Sequence, residues 1–433
     1  MESIWNDFDI TRFRPLSGDT KTDVLIIGGG MAGLLCAHRL KQAGIACIVA
    51  EATQVGRGIT KNTTAKVTAQ HGLLYHRLIE KFGAETAMLY LQANTAAVSR
   101  LRTLANDADC DWQDRKNLIY SISDRSALET ELAALQSLHY PAELEENLAL
   151  PFPTAGAVTF ENQGQFHPMK FLNHICEGLL IYENTPVREL TPYCAITDHG
   201  RIFADIFIVA THFPFLNKHG SYFMKLYQQR SYVLALENAL APGGMYLAAE
   251  ENGLSFRHYG DVLLLGGGGH RTGKQGGGWK ELEEKAREFY PKSKIIRRWA
   301  TQDCMTLDKI PYIGQYSRNT PNLFVATGFN KWGMTSSMVA AEVLTNLVQR
   351  KPNPYGDIFS PSRSILHGQL GINLLESAKN LLTPTAPRCP HLGCALKWNK
   401  QEHSWDCPCH GSRFEENGKL IDNPATGNLK KRT

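Results

Sequence analysis

Two short strings near the end of the chain constrain its folding most: Cys389-Pro390-His391-Leu392-Gly393-Cys394 and Cys407-Pro408-Cys409-His410-Gly411-Ser412. Each sets a cysteine and a histidine at close spacing inside a Pro/Gly turn, so each turn offers a thiolate and an imidazole. Two such turns brought together supply the donor set of a [2Fe–2S] centre in which one iron takes two thiolates and the other two imidazoles. A structural zinc site is the competing reading. Zinc modules use C-x2–4-C and H-x3–5-H spacings, which this pattern does not follow, and inert buried cysteines would leave the two histidines unexplained.

The strings closely resemble the Rieske family. The resemblance implies that Cys389 and Cys407 ligate one iron and His391 and His410 the other. It also implies a disulfide between Cys394 and Cys409, and a Ser412 hydroxyl donating to a cluster sulfide. Asn423-Pro424-Ala425 resembles the family's proline loop over the cluster. There are two departures. Family modules open with strands ahead of the first ligand loop, whereas here only Thr383 to Arg388 separate that loop from a helical segment ending near Leu382. Phe414 stands where respiratory members carry a tyrosine that bonds a cysteine ligand, so a lower reduction potential is expected. A module this short is not expected to fold alone, and should be fixed against the rest of the assembly.

The chain opens with a second motif. Val24-Leu25-Ile26-Ile27 reads as a buried strand and Gly28-Gly29-Gly30-Met31-Ala32-Gly33 as a G-x-G-x-x-G turn. Leu34 to Ala43 is an amphipathic helix ended by Gly44, and Ile45 to Ala50 a second strand ended by Glu51. Gly28 makes the tight turn, Gly30 admits a pyrophosphate to the helix N-terminus, and Gly33 lets helix and strand pack closely. Glu51 is placed to bind ribose hydroxyls and disfavours a 2′-phosphate, and hence NADP.

Beyond this unit, residues 20–350 resemble the flavoprotein family of D-amino-acid oxidase and glycine oxidase. The resemblance rests on Val55-Gly56-Arg57-Gly58-Ile59-Thr60-Lys61-Asn62-Thr63-Thr64-Ala65, Thr185-Pro186-Val187, Ile206-Phe207-Ile208-Val209-Ala210-Thr211, Pro311-Tyr312-Ile313-Gly314, Phe324-Val325-Ala326-Thr327-Gly328 and Gly333-Met334-Thr335. It implies FAD as cofactor. The implied contacts are Gly28, Gly30, Met31, Ala32, Gly33, Glu51, Arg57, Thr60, Thr63, Thr64, Ala65, Val187, Ala210, Thr211, Gly328, Gly333, Met334 and Thr335. The turn at Gly333 would present backbone amides to the flavin. Cys304 is not at the position where some relatives attach FAD covalently, and no covalent flavin is expected.

At 433 residues the chain should hold two or three domains. The expected fold is α/β: a discontinuous Rossmann-like FAD domain (1–75, 150–215, 300–360) and an α+β substrate domain (76–149, 216–299). A linker helix (361–388) and a small, shortened all-β Rieske-type module (389–433) follow. Residues 76–106 read as helical, and Tyr232-Val233-Leu234-Ala235 and Val262-Leu263-Leu264-Leu265 as strands. Leu366, Leu370, Leu374, Ala378 and Leu382 recur at helical spacing, and this stripe is expected to pack on the flavoprotein body. No stretch reaches the ~20 apolar residues of a membrane span. The net charge of +4 looks scattered, which gives no support to nucleic-acid or membrane binding. The N-terminus lacks a signal-peptide pattern, and six single cysteines precede residue 388, so a cytoplasmic protein is expected, with or without homo-oligomerisation.

The resemblance implies oxidation of a C–N bond of an amine or amino acid, with electrons leaving FAD through the cluster to an unidentified acceptor. The alternatives are a reductase fed through the cluster and a non-catalytic redox sensor or electron-transfer protein. Flavin chemistry demands no catalytic base. Lys66, His71 and His270 are candidates to lie beside the ring, and Arg230, Arg257 or Arg271 to clamp a substrate carboxylate. For each of these an ordinary structural role is the competing reading.

Overall fold

A computed structural model describes residues 2–217, 219–384 and 387–430. The opening unit forms as strand Thr20–Ile27, helix Met31–Gln42 and strand Cys47–Ala50. Val24 to Ile27 and Ile48 to Ala50 are buried, as strands covered on both faces must be. They lie inside a mainly parallel sheet ordered Tyr312–Gln315, Leu323–Thr327, Gly200–Val209, Thr20–Ile27, Cys47–Ala50, Leu180–Tyr182. Helices Met31–Gln42 and Gly333–Val348 share one core through Leu34, Leu35, Met338, Ala341 and Leu344. Each follows a strand of this sheet directly, so both N-termini sit at the carboxyl edge, where such sheets bind ligands.

The second sheet runs Lys294–Thr306, Leu226–Glu237, Val262–Arg271, Ser255–Tyr259, Met245–Ala248, Gln113–Ser121, Gly156–Gln165, Lys66–Val67. The segment boundaries read from motifs differ from this membership. Gly156–Gln165 pairs with Gln113–Ser121 rather than with the first sheet, and Lys294–Thr306 runs straight through position 300. The motif-bearing segments cross from one sheet to the other because the cavity lies between them. The helical reading of 76–106 resolves into Tyr75–Phe82 and Ala84–Asp107, broken at Gly83, whose φ of +85° no β-branched residue adopts readily.

The C-terminal module is a four-stranded antiparallel sheet, Lys397–Asn399, Ser404–Asp406, Arg413–Glu415 and Leu420–Asp422. Every one of these strands follows the first ligand loop. Ahead of that loop stands the linker helix Gly368–Leu382. Its orientation corrects the sequence reading. Asn373 and Asn380 are its buried residues, while Leu366, Leu374, Ala378 and Leu382 face outward and Leu370 is half-buried. The reason lies in the surface it covers, which presents Arg271, Lys274 and the Met224 carbonyl. These partners take Asn373 and Glu376, and leave nothing apolar for the leucines.

The module is bolted to the second sheet by charge. Glu402 lies between Arg230 and Arg413 and accepts from Tyr232 Oη at 3.0 Å; Arg413 also meets Asp406 at 3.0 Å and Asp422 at 3.1 Å. Burial pushes the Glu402 carboxyl up, but Arg230 and Arg413 overcome that and hold it at about 2.

Candidate functional site

A cavity of about 560 Å³ opens between the two large sheets. Its floor is the glycine turn. Gly28 has φ +114° and a side chain there would meet the Ala210 carbonyl oxygen at 2.5 Å. At Gly33 a side chain would lie 1.9 Å from the Gly28 oxygen, so Gly33 serves packing and does not line the cavity. At Gly30 the nearest atom is Thr60 Oγ1 at 3.4 Å, so the helix N-terminus opens into free space, with room for a pyrophosphate. Glu51 accepts from the amides of Gly29 (2.7 Å) and Thr53 (2.8 Å), which fixes both carboxylate oxygens at the cavity wall.

Most of the expected contacts line this cavity: Gly28, Gly30, Met31, Ala32, Glu51, Thr60, Thr63, Thr64, Val187, Ala210, Thr211, Gly328, Gly333 and Met334. Arg57, Ala65 and Thr335 do not. Arg57 turns away to Asp9 at 2.8 Å, Ala65 is buried, and Thr335 Oγ1 donates to the Thr68 carbonyl at 2.8 Å. Cys304 lines the cavity near Thr327, its thiol pushed up to about 12 by burial.

The catalytic candidates separate cleanly. Lys66 lines the cavity, donating from Nζ to the Tyr246 carbonyl at 2.8 Å, and burial with Arg257 nearby lowers its pKa to about 7. His71 lies behind the wall, stacked on Trp332 with both ring nitrogens engaged, by Tyr90 Oη at 2.7 Å and the Thr68 oxygen at 2.9 Å. Burial lowers its pKa to about 3, so it is a neutral packing residue. His270 is also outside the cavity, stacked on Tyr232. The three arginines are committed elsewhere: Arg230 to Glu402, Arg257 to the carbonyls of Thr64 and Phe166, and Arg271 to the carbonyls of Pro408 and Cys409. None lines the cavity.

The two ligand loops close on each other beside this cavity. They share one backbone form: the Gly393 amide donates to the Cys389 carbonyl and the Gly411 amide to the Cys407 carbonyl, both at 2.9 Å, with φ +78° and +84° at the glycines. The rings of His391 and His410 lie 4.9 Å apart at 87°. His391 Nδ1 and both ring nitrogens of His410 are buried without a hydrogen-bond partner among the described residues. Such orphaned donors fit a metal-ligating role. Cys394, Cys407 and Cys409 bring their sulfurs within 4.8 Å of one another. Hydrogen bonds from Cys389, Cys394 and Cys409 hold Cys407 well below the ordinary thiol range. The expected disulfide is not formed. Cys394 and Cys409 are free thiols: their sulfurs lie with that of Cys407 in one group within 4.8 Å, in hydrogen-bonding contact with it and with each other, and the Cys409 thiol donates to the Glu376 carbonyl at 3.9 Å. The Ser412 hydroxyl accepts from the Ala425 amide at 3.0 Å, which ties the second loop to the segment after Pro424.

Sequence reasoning missed the wall shared by loops and cavity. His212 lines the cavity and its Nε2 meets Gln228 Oε1 at 3.2 Å. Gln228 Nε2 donates to the carbonyls of His410 (2.9 Å) and Asn423 (3.1 Å). Asn423 Nδ2 returns hydrogen bonds to the carbonyls of Thr211 (2.6 Å) and Phe213 (2.8 Å). The Phe213 ring lies 6.4 Å from both His391 and His410, and Leu420 to Asn423 themselves line the cavity. The one local signal was the run Thr211-His212-Phe213 immediately after a motif strand.

A nucleotide-sized cavity at the carboxyl edge of a Rossmann-like sheet, with a two-thiolate, two-imidazole loop pair on its wall, defines a two-centre redox protein. Residues 23–347 match the FAD dependent oxidoreductase family and residues 365–432 the Rieske [2Fe-2S] domain, so the chain belongs to the FAD-dependent oxidoreductases and carries a Rieske domain. FAD and a [2Fe–2S] cluster are its cofactors. The Rieske 2Fe-2S iron-sulfur protein YhfW of Bacillus subtilis is 34% identical over 99% of this chain and 97% of its own length. A cytochrome b6-f complex iron-sulfur subunit of Nostoc punctiforme is 51% identical over 37 residues, 8% of this chain and 21% of that protein. Among solved structures, glycine oxidase of Geobacillus kaustophilus superposes with a TM-score of 0.65 at 20% identity, covering 80% of this chain and 99% of that one. L-proline dehydrogenase of P. horikoshii gives 0.67 at 16% identity, covering 80% and 98%. The fold of the body is therefore that of the glycine oxidases. Among the described residues no helix is long and apolar enough to cross a membrane.

Proposed function

We propose that the protein is a dehydrogenase that oxidises a C–N bond of an amine or amino acid and delivers the electrons through its own Rieske domain to an acceptor. The observation that carries this reading is the shared wall: Thr211 and His212 line the cavity, and the next residue, Phe213, faces the rings of His391 and His410. Bound FAD supplies hydride acceptance and the cluster supplies one-electron transfer. The residues do the rest. Gly28, Gly30 and the helix N-terminus at Met31 receive the pyrophosphate, and Glu51 the ribose. Cys389, His391, Cys407 and His410 hold the cluster.

Of the three cations that line the cavity, Arg188, Lys331 and Lys66, the last is the one we assign to a substrate carboxylate, with its ammonium anchored on the Tyr246 carbonyl between the two sheets. The second sheet forms one wall of the cavity through Tyr232, Val233 and Gly266, and Gln228 ties the cavity side to the second ligand loop by holding the His410 carbonyl. The buried free thiols Cys36, Cys110, Cys176 and Cys304 suit a reducing cytoplasm. Amino acids and amines added under argon test the reading. A substrate should bleach the flavin absorbance and raise the reduced-cluster EPR signal in the same sample. Reduction by an external donor alone, with every amine inert, would overturn it.

A further inference from the structure

The linker helix is built inside out. Gln369, Asn373, Glu376 and Asn380 recur at i, i+4, i+7 and i+11 and face the body. Asn373 binds Arg271 at 2.9 Å, Glu376 pairs with Lys274, and the Asn380 carbonyl accepts the Ala395 amide at 2.9 Å. The opposite face is apolar and uncovered among the described residues, with Leu375 73% and Leu382 83% exposed and Ile372 beside them. A folded helix normally turns these faces the other way.

Charge gathers at the same place. Lys379 lies on the outer face, and Arg388 caps the helix end by donating to the carbonyls of Asn380 (3.2 Å) and Leu381 (3.1 Å). Lys397 and Lys400 follow on the adjoining module. None of the four has a carboxylate partner among the described residues. Residues 361–400 hold five of the 46 cations and one of the 42 anions; Glu376 is spent on Lys274 and Arg363 on Asp308, which leaves these four cations without an acid in the segment. The rest of the chain sums to zero net charge.

A second copy of the chain is a poor match for this face. Fifteen residues make a helix about 22 Å long and about 10 Å across, roughly 220 Å² of face, against about 800 Å² per partner in a stable dimer. An interfacial helix has no such requirement. It sinks a leucine face into the headgroup boundary, assisted by flanking cations. We propose that the outward face of the linker helix docks on an anionic lipid bilayer, Leu375 and Leu382 entering the acyl boundary while Lys379, Arg388 and Lys397 meet lipid phosphates. Docking places Leu392, which follows the cluster residue His391, at the same surface, since Leu381 reaches to 4.0 Å from the position of a Gly393 side chain.

The test uses the full-length, cofactor-loaded protein sedimented with extruded vesicles. Binding to mixed phosphatidylcholine–phosphatidylglycerol vesicles is expected, with weaker binding to phosphatidylcholine alone and loss in high salt. The double variant Leu375→Asp/Leu382→Asp should lower partitioning at least about tenfold with unchanged flavin and cluster spectra. Lys379→Glu should lower it about fivefold, on anionic vesicles only. Wild-type protein left in the supernatant with every vesicle, or binding unaffected by the double variant, overturns the proposal. So does a wild-type dimer in sedimentation equilibrium that the double variant converts to monomer, with no vesicle binding by either.

Discussion

Removing the charge of Glu402 should loosen the Rieske module from the body, and the structure sets the size of the effect. Glu402 is the only acceptor of Arg230 among the described residues, and the arginine side chain is 3% exposed. Glu402→Gln therefore strands a buried guanidinium, a change that costs about 3–5 kcal/mol. The carboxyl gives an independent figure: holding it at about 2 rather than its ordinary 4.5 stabilises the folded state by roughly 3 kcal/mol. Arg230→Met should cost less, about 1–3 kcal/mol, because Glu402 keeps Arg413 at 2.8 Å and Tyr232 at 3.0 Å. The sign with pH follows from a depressed carboxylate. Its contribution is complete above the unfolded value and disappears as pH falls through about 2. Thermal unfolding followed separately through visible circular dichroism of the cluster and through flavin fluorescence would resolve module from body. Glu402→Gln should lower the cluster transition first. Equal midpoints for Glu402→Gln and wild type, or a larger loss in Arg230→Met, would refute the reasoning.

Gly30→Val should give a folded protein without FAD, since only the cavity meets that side chain; Gly33→Ala should fail to fold, since its methyl would sit 1.9 Å from a carbonyl oxygen. Flavin content and circular dichroism distinguish the two. Lys66→Met should raise KM for a carboxylate substrate while sparing FAD content. In the wild type that KM should rise as pH climbs through about 7, where Lys66 loses its proton, and the variant should lose this dependence. Gln228→Leu should leave the His410 and Asn423 carbonyls without their partner, at about 1–3 kcal/mol, and slow cluster reduction relative to flavin bleaching in stopped flow. Residues 383–433 expressed alone should yield no cluster-loaded peptide, judged by iron content and EPR.

What could be read from the sequence was whatever is local. The glycine turn, its strand partners and the ligand loops each carry their chemistry within a dozen residues, so spacing sufficed for them. Glu402 and Arg230 are 172 residues apart, and Gln228 and His410 are 182 apart. Nothing in either segment announces the other. His71 and Arg257 were candidates because polar residues near a cofactor motif attract attention. Both are buried, and their hydrogen bonds go to Tyr90 Oη and to backbone carbonyls. The linker helix failed differently. Its leucine period was read correctly, and the assumption that an apolar stripe faces the core was what misled. The polar stripe Gln369, Asn373, Glu376, Asn380 was equally regular, and a period shared by two faces does not say which is inner.

The way the second ligand loop is held argues for a cluster that stays in place. Arg271 reaches the carbonyls of Pro408 (3.2 Å) and Cys409 (3.3 Å), Gln228 that of His410, and Gln302 that of Gly411 (2.9 Å). Four successive main-chain carbonyls thus have donors from the body, and undocking would lose all of them together. Gly273 and Gly411 bring the surfaces closer than side chains would permit: a methyl at Gly273 would meet Pro408 at 2.7 Å, and one at Gly411 would meet Gln228 at 2.6 Å. A domain that swung between donor and acceptor would need a contact it could leave. This one is fitted backbone to side chain, with a buried ion pair behind it.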